Sequence, residues 1–160
     1  MAADYLVSSL PALAFDAPAP LTMAQFDALC REQLGPAPFK KLEKAWSDLD
    51  AQMRNVAAEE RARTKGLDPA QWRRPASGCA LHWQNRIRAA FAEKDPAERD
   101  RLLDKARWDA AGEMTPPVSP LSRGAAFTYR LRLEIAIRRQ ALSAEAGNAV
   151  LDSILGQSGK

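Results

Sequence analysis

The sequence predicts an all-α protein, a helical bundle of about five to six helices, and three observations carry that expectation. Phe39, Leu42, Trp46, Leu49, Met53 and Val56 form one unbroken apolar seam at three-then-four spacing, the pattern of an amphipathic helix. The run Leu49-Asp-Ala-Gln-Met53-Arg54-Asn55 is echoed by Leu133-Glu-Ile-Ala-Ile137-Arg138-Arg139, and each copy then reaches a glycine, Gly66 or Gly147, at nearly the same distance. Helix-start chemistry also recurs: Thr22 with Gln25 makes a capping-box pattern, and Asp95-Pro96-Ala97-Glu98 combines a cap residue, a first-turn proline and a first-turn acid.

The elements follow in order. Residues Ala3 to Phe15 are dense in apolar side chains but broken by Pro11, and read as a short segment packed onto the body. Asp16 to Pro20 cannot be helical, because its prolines remove donors and push their neighbours extended. Thr22 opens a helix with Phe26, Leu29, Cys30 and Leu34 on one face, closed by Gly35-Pro36. The seam helix starts near Pro38 and stops at Gly66, which can adopt a left-handed cap. Asp68-Pro69 starts a brief turn holding Trp72, and Pro75 ends it. A helix from about Cys79 to Lys94 stacks Trp83, Ile87 and Phe91; the next, from Pro96 to about Met114, carries Leu102, Leu103, Ala106 and Ala110.

Three prolines between Pro116 and Pro120 make the strongest boundary. The layout is then a helical lobe over 1–114, a connection over 115–123 and a long C-terminal helix region over 124–156, two small lobes or one domain. Residues 127–137 alternate apolar and polar, the period of a strand. As a helix they form two stripes about 160° apart, which suits a rod wedged between neighbours. No second strand-like run exists to pair with them, and Arg138 to Glu145 are mostly good helix formers, so a helix from Gly124 to Ala146 is predicted. Val150, Leu151, Ile154 and Leu155 add a last amphipathic turn or two, with fraying expected from Gly156 to Lys160.

At 160 residues, with 46% apolar and 27% charged side chains, the chain is long enough for a real core. A net charge of +3 does not announce a nucleic-acid binder. No run reaches a membrane-spanning length, and Met1 to Leu13 lacks a signal-peptide pattern, so a cytoplasmic protein is expected. Cys30 and Cys79 read as reduced thiols, and His82, the single histidine, has no metal-ligand spacing around it. Neither a nucleophile elbow nor a phosphate-binding glycine loop is present. Acid pairs such as Glu59-Glu60 lie on a helix's solvated side; no enzyme, cofactor or metal is expected.

The basic residues offer two readings. Arg54, Arg61, Arg73, Arg74, Arg86, Arg88, Arg99, Arg101 and Arg107 are interleaved with Trp72, Trp83 and Trp108. They form either a phosphate-contacting surface with stacking aromatics or helices whose tryptophans are core and whose arginines pair with nearby acids. The first makes the chain a small nucleic-acid-binding module. Arg54 and Arg138 hold matching places at the edge of each apolar face, where each meets either a neighbouring helix or a partner subunit.

Tyr5-Leu6-Val7-Ser8-Ser9-Leu10-Pro11, with Phe26-x-x-Leu29-Cys30, Met53-Arg54-Asn55 and Arg61-Ala62-x-x-x-Gly66-x-Asp68, resembles a bacterial family encoded in operons for V-type (A/V-type) rotary ATPases. More remotely, the chain resembles the C subunit of those machines, subunit d in eukaryotes, an all-helical funnel joining the central shaft to the proteolipid ring. The resemblance implies a non-catalytic accessory or C-like subunit, cytoplasmic or peripheral to the inner membrane through its complex, with central-stalk or proteolipid-ring subunits as partners. It carries over Arg54, Asn55 and Arg138 as structural or contact positions; Arg61 and Arg139 are added as candidate contacts. The second copy has Arg139 where the first has Asn55, and the chain is much shorter than a three-lobed subunit.

Overall fold

In a computed structural model the described residues are 2–142 and 144–158. They form α1 (Ala2–Ser9), α2 (Met23–Leu34), α3 (Lys40–Lys65), α4 (Leu81–Ala90), α5 (Pro96–Ala111), α6 (Arg123–Ala141) and α7 (Ala144–Ser158), with 3-10 turns at Pro69–Trp72 and Gly112–Met114. The architecture is all-α, and no strand occurs among the described residues. Seven helices replace the expected five to six, because the N-terminal segment is itself helical and the C-terminal region is divided in two.

Helix α3 buries the predicted seam: Phe39, Leu49, Met53 and Val56 are in the core, with Leu42 and Trp46 packed against it. Gly66 ends it at φ 67°, and the Leu67 N–H donates to the Ala62 carbonyl at 2.9 Å, a closing bond that needs the left-handed residue between. Both halves of the capping box form at Thr22 and Gln25, and the Asp95 carboxylate accepts from the Ala97 N–H at 3.1 Å. Helix α4 is shorter than the expected 79–94. Phe91, Ala92 and Glu93 continue only as turns, and the Glu93 carboxylate accepts from the Lys94 and Asp95 N–H groups, turning the chain toward Pro96.

Helix α5 is buried on more than one side and sits between the packing layers. Leu103, Ala106 and Ala110 join α3 and α4; Ala111 joins Leu6, Phe26, Cys30, Phe39 and the start of α6; Trp108 meets Phe15 and Ile135. Helix α6 is the wedged rod that its two stripes required, with Phe127, Leu131, Leu133 and Ile135 all buried. Its start is tied to the turn after α5, where the Thr128 hydroxyl bonds the Ala111 carbonyl and the Thr115 hydroxyl, each at 2.8 Å.

Three C-terminal expectations are corrected. Helix α6 ends at Ala141 rather than Ala146, where the Leu142 N–H is shared by the Arg138 and Arg139 carbonyls at 3.2 Å. Gly147 lies inside α7, so the echo with α3 does not extend to the helix ends. Gly156 to Ser158 are helical rather than frayed, while residues 159 and 160 lie outside the described residues.

Candidate interaction groove

Between α3, α5 and the last turn of α6 lies a groove of about 660 Å³. Its floor is apolar, from Met53, Ala57, Ala62, Ile87 and Leu103, and Leu67, Trp72 and Leu142 edge it. Its charged lining is Arg54, Arg61, Lys65, Arg74, Arg107 and Arg138 against Asp100 and Asp104. Six cations against two acids make the rim basic.

One buried and one partly buried acid hold one end of that rim. Asp104, 5% exposed on the core side of α5, pairs with Arg138 and lies 3.7 Å from Arg139. Asp50 on α3 bridges Arg54 at 2.6 Å and Arg107 of α5 at 2.8 Å. Burial lowers the Arg138 pKa, and the neighbouring Arg54 charge adds to that effect. Among the described residues, Arg61, Lys65 and Arg74 at the other end form no salt bridge; Arg61 instead lies over the Phe91 ring at 5.7 Å.

Arg54 and Arg138 therefore both make intramolecular bonds, Arg138 to another helix and Arg54 to the residue one turn before it. Arg139 also reaches Asp16 at 3.1 Å and lies over the Phe15 ring at 4.2 Å, pinning the N-terminal segment to α6. Arg101 holds the same Asp16 at 2.8 Å; their hydrogen bond is the main reason that the Asp16 pKa falls below its ordinary value.

Asn55 points away from the groove and clamps the chain after the Trp72 turn. Its carbonyl accepts from the Arg74 N–H at 2.7 Å, and its amide donates to the Arg74 carbonyl at 2.9 Å. Gln52, one turn earlier, donates to the Ser77 carbonyl at 2.7 Å and accepts from the Ala80 N–H at 2.6 Å. Asp48 accepts from the Ser77 N–H at 3.3 Å, and Glu59 pairs with Arg73 at 2.8 Å. Asp48, Gln52, Asn55 and Glu59 thus form a polar ladder on one face of α3 that fixes residues 73–80 and presents Trp72 and Arg74 to the groove. Sequence reading missed Gln52. The signal was available, since a glutamine three residues after Leu49 and four before Val56 falls on the apolar face and needs a partner there.

The tryptophans divide. Trp83 and Trp108 are buried, with Arg86 and Arg132 stacked on them, and Arg86 is paired with Asp109 at 2.9 Å. Trp72 alone of these three is open, at 47% exposure. No group of three or more potential metal ligands occurs among the described residues. No described helix is long and apolar enough to cross a membrane. No protein-family model, curated protein or solved structure matches the chain.

Proposed function

We propose that this protein is a non-catalytic accessory or C-like component of a bacterial V-type rotary ATPase, acting by helix docking rather than chemistry. The complex is taken from the sequence resemblance. The observation that supports a docking role is the groove, whose apolar floor and rim cations Arg61, Lys65 and Arg74, which form no salt bridge among the described residues, suit an acidic amphipathic helix. A central-stalk subunit is the partner of choice, because the groove opens to water and its field attracts acids. Small side chains at Ala57, Ala58 and Ala62 let a helix backbone approach closely.

Affinity purification of the tagged chain from its own cells tests the assignment. Central-stalk subunits should be recovered with the native protein and lost with R61E/K65E/R74E. Recovery of no ATPase subunit overturns it. The rival reading as a nucleic-acid-binding module draws on exposed Trp72 beside Arg73 and Arg74. It requires affinity for RNA or DNA that falls steeply with salt.

A further inference from the structure

The C-terminal helix matches the groove in charge and length. Residues 144–158 contain two acids, Glu145 and Asp152, and no lysine or arginine. Leu151 and Leu155, one helical turn apart, are 54% and 61% exposed, and Ile154 lies on the same stripe. Helix α6 delivers this element to the right place, since Leu142, its C-terminal cap, lines the groove. Fifteen helical residues span about 22 Å, and the groove wall from Met53 to Lys65 spans about 18 Å of α3.

We propose that the groove binds acidic amphipathic helices and that α7, whose leucines stand exposed outside it, folds onto it as an intramolecular ligand that a partner helix displaces. In the closed form Leu151 and Leu155 seat on the apolar floor over Ala57 and Ala62, and Asp152 faces the cations Arg61, Lys65 and Arg74. The alternative, insertion of α7 into a second copy, is disfavoured because the short tether gives the chain's own helix a far higher effective concentration. This inference rests on the groove being a helix-docking site, not on which complex supplies the partner.

Spin labels on the full chain test it, at T64C on α3 and S153C on α7 in a C79S background. Cys30 stays unlabelled: it is buried, and burial pushes its thiol pKa up to about 11. Docked helices have axes about 8–10 Å apart, so the labels should give a short distance population. That population should disappear in L151E/L155E, whose positions lie outside the core, and in R61E/K65E. It should be unchanged when labelled chain is diluted with unlabelled chain. Absence of the short population overturns the proposal, as does its survival in L151E/L155E. Loss on dilution also overturns it by placing α7 in a second copy. No ATPase subunit is in the sample, so failure here is distinguishable from failure of the purification.

Discussion

Replacing Gly124 by alanine should destabilise the protein, against the usual sign for such a change in a helix. At an open helical position alanine gains about 1 kcal/mol over glycine. At Gly124, in the first turn of α6, an added Cβ would stand 2.1 Å from the Met114 carbonyl oxygen and 2.8 Å from Pro116 Cδ. The oxygen is backbone, so it cannot swing aside as a side-chain tip could. The turn after α5, itself tied to Thr128, must shift instead. Overpacking of this kind costs about 1–3 kcal/mol. With the backbone obstruction placing the cost in the upper part of that range, the net loss is about 1–2 kcal/mol. For a chain of this size that lowers Tm by about 2–8 °C. Thermal melting followed by circular dichroism reads it, with G147A as the control: a Cβ there meets nothing within 4 Å, and no loss is expected. A G124A protein that melts at or above the parent temperature refutes the close approach.

The polar ladder predicts that Q52A and N55A each cost about 1–2 kcal/mol and raise hydrogen exchange in residues 73–80 while sparing α6; protection unchanged in both variants would remove the ladder. D104A should cost about 2 kcal/mol in urea unfolding, because it leaves Arg138 and Arg139 without their buried acid, discounted for the half-exposed Arg138 side chain. Acid should weaken the fold through Asp109. Burial works to raise its pKa, but hydrogen bonds from Lys105 and Arg86 outweigh it and the net direction is down. A depressed folded-state pKa contributes stability that is present above the unfolded value of about 3.9 and lost as pH falls through the folded value. The urea midpoint should therefore fall between about pH 5 and pH 3, and less steeply in D109N; equal slopes would contradict the pairing.

Features set by neighbours in sequence were legible in it. The caps at Thr22 and Asp95, the stop at Gly66 and the α3 seam each depend on residues within a few positions of one another. The two stripes of α6 were also readable, since only a rod with neighbours on both sides has use for them. What escaped depends on distant partners. Gln52 reaches residues 25 and 28 positions away, and the crowding at Gly124 arises only because the chain folds back after α5. Asp104 is one of several acids on α5, and its burial follows from where Arg138 and Arg139 arrive. The break after Ala141 was hidden by a run of good helix formers. Of the candidate contacts, Arg54, Arg138 and Arg139 are committed to internal acids, whereas Arg61 on the rim has none among the described residues. Lys65 became a candidate only once the groove assembled it, and Arg74, which the sequence offered only as a candidate phosphate contact, joins it there.

Cross-linking mass spectrometry on the chain mixed with the assembled ATPase tests the docking claim most directly. Lys65 is on the groove rim, whereas Lys40, Lys41 and Lys44 lie at the far end of α3. Cross-links should join Lys65 to an acidic helix of a central-stalk subunit and vanish when Arg61 and Arg74 are reversed to glutamate. Cross-links to the stalk through Lys40, Lys41 or Lys44, with Lys65 untouched, would contradict the groove as the point of contact.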